Sequence, residues 1–502
     1  MRTRRGWGVR LAVALGAGVV AGFCFAPHDL GPLIALPIAA LLGTWRGARV
    51  RDATLFTFAF GIGCYSVVVP WIHYFGVLAF VALVVAMSTL LAIAALVVAL
   101  LATRGMASPL LTAAAWVFAE AIQGEFPFGG FPWADVGLAL HDIPAARAVA
   151  SVGGVLGVSF LTVAAAGFLV DLVVALRSRT SIRRTVWAAS GLVGVLLVAV
   201  VARVTWFDPT PTSTLRVAVL QGDDEELSLA GQQAQRLTDD HLELADELVG
   251  RYDLIVFPEK ALDDDPELDQ DLRERITTIA AKHHSDVLVN ALVATDRDQP
   301  ITDEGYNVNM LYEPDGTLQG EYAKQHLVPF GEYVPMRSVF GGIAALRQVP
   351  YDLTPGDHNV VFDVKGTPVG SIICFESAFG PLVRSVVRDG AQMIVVSTNN
   401  RSYRRSGNTD QHLALGQFRA AEAGRPLVQA SLSGVSAIID PDGTVHDRTE
   451  LFQKAILDTH VTATTGDTLY ARFGDWVLAL SCLALLGATV VAVWRPRRPI
   501  AR

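Results

Sequence analysis

Cysteine is scarce in this chain: only Cys24, Cys64, Cys374 and Cys482 occur among 502 residues. Three of them fall in long apolar runs, which leaves Cys374 alone in the one long polar stretch. A disulfide within that stretch is therefore excluded, and Cys374 is either a small buried apolar side chain or a working thiol. An excess of positive charge is also lacking. The 40 Lys and Arg are outnumbered by 49 Asp and Glu, for a net charge of -9, so no nucleic-acid footprint is present. The 11 histidines include no pair at ligand spacing; His283 and His284 are adjacent and diverge on a helix. No metal is expected.

Apolar residues make up 51% of the chain and the mean hydropathy is +0.39. Runs of about 17 to 25 residues, enough to cross a bilayer core of about 30 Å, account for this. Eight spans are predicted, at residues 8–26, 32–45, 54–75, 77–102, 108–123, 152–176, 185–205 and 474–494. The second is short and the fifth carries Glu120, so their edges are soft. A signal peptide is the competing reading of the basic start at Arg2, Arg4, Arg5 and Arg10, but the small-residue cleavage pattern is unconvincing and further spans follow at once.

Lys and Arg are retained on the cytoplasmic side. With eight spans, Arg46, Arg49 and Arg51, then Arg104, then Arg177, Arg179, Arg183 and Arg184, and finally Arg495, Arg497, Arg498 and Arg502 all share the side of the N-terminus. The expected organisation is a transmembrane domain over 1–205 with seven spans, an extracytoplasmic domain over 206–472, and a last span with a basic cytoplasmic tail over 473–502. Both termini are then cytoplasmic. The acidic middle domain, starting near Trp206, is long enough for a single closed core.

Strands and helices alternate within it. Leu215–Leu220, Asp253–Phe257, Val287–Ala291, Asn307–Tyr312, Val360–Val364, Val369–Cys374, Met393–Ser397, Leu427–Ala430 and Val435–Ile439 read as strands. Gly231–Val249, Leu272–His283, Ser377–Arg388 and Asp410–Ala423 read as helices. Pro-Asp-Gly turns at Pro314-Asp315-Gly316 and Pro441-Asp442-Gly443 mark hairpins. Continuous apolar strands with interleaved helices predict α/β or α+β sheets covered by helices.

Three polar groups stand at strand ends, where such folds gather function. Glu259 follows Leu-Ile-Val-Phe-Pro, Lys324 opens a Lys-Gln-His-Leu-Val-Pro-Phe-Gly-Glu-Tyr block, and Cys374 closes Val-Gly-Ser-Ile-Ile. Taken singly they read equally well as a solvated turn acid, a surface lysine and a core residue. Together they make a chemistry. A thiol with a pKa near ~8.5 needs a helix start or a base to act at neutral pH. Glu259 is the candidate base, Lys324 the candidate partner for a tetrahedral oxyanion, and Glu332 a group to orient the lysine or relay a proton.

These residues resemble the Glu-Lys-Cys triad of the nitrilase (carbon-nitrogen hydrolase) superfamily: Phe257-Pro258-Glu259, Lys324 with His326 through Pro335, and Cys374-Phe375-Glu376. Within it, the chain is similar to the apolipoprotein N-acyltransferases. That narrower likeness also draws on Phe126 through Trp133, Pro27 through Leu30, and Thr468 through Arg472. The resemblance implies a nitrilase-like αββα sandwich carried by eight spans on the outer face of the cytoplasmic (inner) membrane. It implies Glu259 as general base, Lys324 as oxyanion stabiliser and Cys374 as nucleophile, with Glu332, Phe375 and Glu376 in support. The implied reaction takes an acyl chain from a phospholipid, commonly phosphatidylethanolamine, through a Cys thioester to the α-amine of a diacylglyceryl-cysteine at an apolipoprotein N-terminus. No cofactor is implied. The alternatives are a membrane-tethered amidase or nitrilase that passes the acyl group to water, and a non-catalytic relative that binds lipoproteins.

Three departures from the family pattern stand out. Phe375 replaces a common Tyr, no Trp occurs between Gln221 and Arg236, and the loop that usually reads Asn-Asp-Ala-Trp-Phe is Asn399-Asn400-Arg401-Ser402-Tyr403-Arg404-Arg405. Its arginines are either a solvated loop or an attractor of anionic headgroups, at about 1 kcal/mol each near a charged surface. Liposome flotation decides between them: headgroup attraction requires that neutralising Arg401, Arg404 and Arg405 together removes any preference for anionic vesicles.

Overall fold

The structure is a computed structural model. It describes residues 4–178, 182–205, 209–222, 230–297, 304–342, 346 and 349–495. The expected boundary at Trp206 and the charges at Arg2, Arg179, Arg497, Arg498 and Arg502 lie outside the described residues. The chain forms two compact units, Met1–Phe207 with Arg472–Arg502, and Asp208–Ala471.

The first unit is helical. All eight apolar segments expected from the sequence are helices: Arg4–Gly22, Ala35–Trp45, Val50–Val68, Val77–Ala102, Pro109–Glu125, Pro144–Arg177, Ile182–Val204 and Trp476–Trp494. Four of these, Val77–Ala102, Pro144–Arg177, Ile182–Val204 and Trp476–Trp494, are long and apolar enough to cross a membrane. Two boundaries differ from expectation for local reasons. The third helix stops at Val68 and continues as a 3-10 turn over Pro70–Phe75, because Pro70 lacks an N–H and restrains the residue before it. The sixth begins already at Pro144, with proline in the first turn, and breaks at Gly154 (φ 69°, ψ 179°), a backbone conformation open to glycine.

Small residues set the packing of this unit. A Cβ placed on Gly18 would lie 2.0 Å from the carbonyl oxygen of Phe60, and one on Gly63 2.4 Å from that of Leu15. Helices Arg4–Gly22 and Val50–Val68 therefore meet backbone against backbone. Glu120, the acid inside the fifth segment, accepts hydrogen bonds from Trp116 Nε1 (2.9 Å) and Val136 N (2.8 Å). The carboxyl thus ties its own helix to the turn that follows Trp133, and its polarity is spent inside the bundle.

The second unit is built from β1 (Thr210–Gln221), β2 (Leu254–Val256), β3 (Asp286–Ala294), β4 (Glu304–Tyr312), β5 (Leu318–Ala323), β6 (Asp352–Leu353), β7 (Val361–Val364), β8 (Thr367–Ile373), β9 (Met393–Thr398), β10 (Leu427–Ser431), β11 (Ala437–Ile439), β12 (Val445–Arg448) and β13 (Ala455–Thr465). They form two sheets, ordered β13-β1-β2-β3-β4-β5 with β6 beside β4, and β12-β11-β10-β9-β8-β7. Strand alternation sorts the side chains. Val217, Val219, Val256 and Leu288 of the first sheet pack on Val369, Ile373, Val395 and Val428 of the second. The opposite face of the first sheet, with Ala218, Leu220 and Val289, lies under helices Ala230–Asp246 and Gln270–His283. That of the second, with Ile372, Ile394 and Val396, lies under Gly380–Arg388 and Asn408–Ala423. Four layers result, an αββα sandwich.

Edge strand β13 escaped the sequence reading. It is half exposed, with Leu457, Val461 and Ala463 inward and Asp458, His460 and Thr462 outward, so no apolar run announces it. Gly18→Val is expected to overpack the helix pair of the first unit by about 1–3 kcal/mol and lower the detergent-solubilised melting temperature. Gly16→Val, where the added side chain meets open space, should leave it unchanged.

Candidate active site

Glu259, Lys324 and Cys374 leave the ends of β2, β5 and β8. The turn after β2 is held by Lys260 (φ 57°), whose N–H donates to Asn290 Oδ1 at 2.7 Å. The turn after β5 is held by Lys324 N–H on the carbonyl of Asn307 at 2.9 Å. Cys374 itself sits at φ 53°, in the left-handed region that side chains rarely adopt. Glu376 fixes the backbone on both sides of this turn. Its Oε2 accepts from Ile373 N (2.7 Å), and its Oε1 from Gln325 N (2.6 Å) and His326 N (3.1 Å); Tyr322 Oη donates to both oxygens at 2.9 Å. One buried carboxyl thus clamps the nucleophile's strand to the lysine's loop. Burial lifts its pKa to about 7, against the pull of those N–H donors.

At the centre, the Lys324 ammonium is 1% exposed and donates to Glu259 Oε1 (3.1 Å) and Glu332 Oε1 (2.8 Å). Asn307 Nδ2 donates to the same two oxygens, at 2.7 and 3.1 Å, and Val328 N donates to Glu332 Oε2 at 2.8 Å. Burial pulls the lysine's pKa down, but Glu259 and Glu332 outweigh it and hold the group well above its ordinary value. Burial pushes Glu332 up, and Lys324 more than reverses this, so the carboxyl stays below its usual range.

The thiol of Cys374 is pushed up to about 12, first by burial and then by the Glu259 charge, against smaller opposing effects of Lys324, the Thr398 side chain and the Asn399 N–H. The sequence placed this cysteine at the start of a helix whose N–H groups would activate it. Instead Cys374–Ala378 is a 3-10 turn and the α-helix begins only at Gly380. Both raising effects, burial and the Glu259 charge, favour the protonated form.

Glu332 joins the triad through Lys324. Phe375 packs edge-on against Phe379 (centroids 5.1 Å apart), which also stacks with His326 at 4.1 Å. Several residues at the site were not singled out in the sequence, His412 described below among them. Of the two that bear on the charges, Asn307 was one, although a buried strand reading Tyr-Asn-Val-Asn-Met puts two asparagines on a single face, an arrangement β-propensity disfavours. Asn290, opposite Asn309 in the β3–β4 register, donates from Nδ2 to Asn307 Oδ1 and Asn309 Oδ1, both at 2.8 Å, and so fixes which way the Asn307 amide points. Tyr403 was the other: burial and then the Cys374 charge raise its hydroxyl above the ordinary tyrosine value.

Residues 216–470 match the carbon-nitrogen hydrolase family, so the sandwich that carries this cluster is of the nitrilase class. Residues 17–168 match the apolipoprotein N-acyltransferase N-terminal domain. Over nearly its whole length the chain is similar to apolipoprotein N-acyltransferases from Nitrosomonas europaea (32% identical, 96% of this chain and 97% of the relative) and Geobacter metallireducens (30%, 97% and 95%). An amidase of the nitrilase superfamily from Nesterenkonia AN1 is similar in structure, at 17% identity and a TM-score of 0.39, over 54% of this chain and 99% of that one. The chain belongs to the apolipoprotein N-acyltransferase family, and it is an acyltransferase of membranes.

Asn307→Ala is expected to slow acylation by about 100-fold, the cost of loosening a positioned base, and to lower stability by about 1–3 kcal/mol because it leaves buried partners unsatisfied. Asn307→Asp should abolish acylation, because a third buried carboxylate would compete for the one ammonium. Single-turnover acylation beside thermal denaturation checks both.

Proposed function

We propose that this protein moves an acyl chain from a phospholipid to the N-terminal amine of a lipoprotein through a thioester on Cys374. The observation that carries the reading is the buried Glu259–Lys324–Glu332 cluster with the buried Cys374 thiol beside it. One ammonium faces two carboxylates, so the pocket already holds a net charge of -1. Ionising Cys374 into it would add a second uncompensated charge, whereas passing the thiol proton to Glu259 keeps the total constant.

Acylation then runs as general-base catalysis. Lys324 and Asn307 both bond Glu259 Oε1, and Oε2 is the oxygen that takes the proton as Sγ attacks the ester carbonyl. An ammonium has three N–H groups. Two of Lys324's are spent on the carboxylates, and the third serves the tetrahedral oxyanion. Collapse expels the lysophospholipid alkoxide, which takes the proton back from Glu259, and leaves the thioester. The α-amine of a diacylglyceryl-cysteine attacks next, Glu259 accepts its proton, and the Cys374 thiolate leaves and is reprotonated. The amide product is a triacylated lipoprotein. Glu332 keeps the ammonium in place, and Glu376 keeps the two loops together.

Phosphatidylethanolamine is the proposed donor. Eight helices with arginines at alternate connections support eight spans in the cytoplasmic membrane, both termini inside, and the domain over 206–472 outside. An amidase or nitrilase reading shares the triad but has no use for the N-terminal helical segment that matches the acyltransferases.

Purified protein incubated with phosphatidylethanolamine vesicles should gain one acyl group on Cys374 by mass spectrometry and lose it on addition of a diacylated lipopeptide. Cys374→Ala should gain none. No adduct, or an adduct discharged only by water, overturns the proposal.

A further inference from the structure

Against the backbone of Cys374 lies a histidine the mechanism above does not use. His412 sits in helix Asn408–Ala423 and is 1% exposed. Its Nε2 is 3.1 Å from the carbonyl oxygen of Cys374 and 2.7 Å from Ser377 Oγ. Its Nδ1 is 3.2 Å from Asn400 Nδ2 and 3.3 Å from Thr398 Oγ1. A carbonyl oxygen only accepts, so Nε2 carries the hydrogen. An amide nitrogen only donates, so Nδ1 is the acceptor. The two ends agree on one neutral tautomer, and burial favours the neutral ring by drawing its pKa down to about 4.

The ring therefore touches the nucleophile twice. Through Nε2–H it grips the carbonyl of the residue held at φ 53°. Through Nδ1 it meets Thr398, whose hydroxyl is near enough to the Cys374 thiol to act on its ionisation. The Thr398 hydroxyl has one hydrogen and three acceptors in reach: His412 Nδ1, Asn400 Oδ1 at 3.3 Å and the sulfur. While sulfur is protonated the hydrogen rests on nitrogen or amide oxygen; once the proton has gone to Glu259, the hydroxyl turns to the sulfur.

We infer that His412 is a positioning residue for acylation, fixed as the Nε2–H tautomer, which holds the strained turn of Cys374 through its carbonyl and presents the Thr398 hydroxyl to the sulfur. The inference rests on Cys374 being the acyl carrier. It predicts a hierarchy among substitutions that a core-filling histidine would not produce. Glutamine places an amide N–H where Nε2–H stands and restores the carbonyl grip; asparagine reaches only the Nδ1 position; leucine fills the space with neither.

Two rates are to be measured on full-length His412→Leu, His412→Gln and His412→Asn, beside melting temperatures: alkylation of Cys374 by iodoacetamide, followed on its own peptide, and acyl-adduct formation from phosphatidylethanolamine vesicles. His412→Leu and His412→Asn should slow both by about 100-fold, and His412→Gln should return to within about 10-fold of the unsubstituted protein. If His412→Leu does not fold, the Gln-to-Asn contrast decides. Equal rates for Gln and Asn, or a folded His412→Leu within about threefold of the parent, overturn the inference. Should the parent itself form no adduct, the acyl-carrier reading fails, and the alkylation hierarchy still decides the role of His412.

Discussion

One ammonium between two carboxylates governs the rest of the site. Lys324, Glu259 and Glu332 are all nearly inaccessible to water, and burying three charges is tolerable only when their hydrogen bonds are closely satisfied. Every neighbouring feature serves that requirement. Asn307 gives each carboxylate a neutral second donor, Val328 N–H satisfies the far oxygen of Glu332, and Asn290 keeps the Asn307 amide from turning its oxygen toward the acids. A neutral amide in that place is significant. A second cation would satisfy the carboxylates equally well, but it would also cancel the negative charge that the proposed role of Glu259 as base requires.

Much of this was legible in the sequence, and the division follows physical lines. Glu259 and Cys374 each interrupt an apolar run at the point where a strand must end, and Lys324 opens a distinctive block after one, so their types and positions could be read locally. Glu332 was reachable because it lies eight residues beyond Lys324 in a single block. Asn307 and His412 were not, since a polar residue in a strand or on a helix gains its meaning from what the register sets opposite it. The Asn290–Asn309 pairing and the approach of helix Asn408–Ala423 to Cys374 are tertiary facts. The sandwich was expected as sheets covered by helices, but β13 was missed because half its residues face solvent. The helix expected to begin just after Cys374 begins instead at Gly380, which leaves Glu259, already the candidate base in the sequence, as the proposed source of help for the thiol.

The two units solve stability differently. In the sandwich, apolar side chains interdigitate between sheets and under helices, and the hydrophobic effect rewards it. Helices surrounded by lipid gain nothing from burying one more leucine, so the first unit relies on close backbone approach at Gly18 and Gly63 and on hydrogen bonds such as those to Glu120. Composition alone foretold the helices. Which faces meet depended on where the glycines fall.

The high pKa of Cys374 has a consequence beyond acyl transfer. Oxidants and disulfides react with thiolates, and the climb from sulfenic to sulfonic acid starts from that form. A cysteine that burial holds toward its protonated form and that has no second cysteine in its own unit offers peroxide or a foreign thiol less to attack than an exposed thiolate would. The burial that calls for a base thus also shields the proposed nucleophile between turnovers.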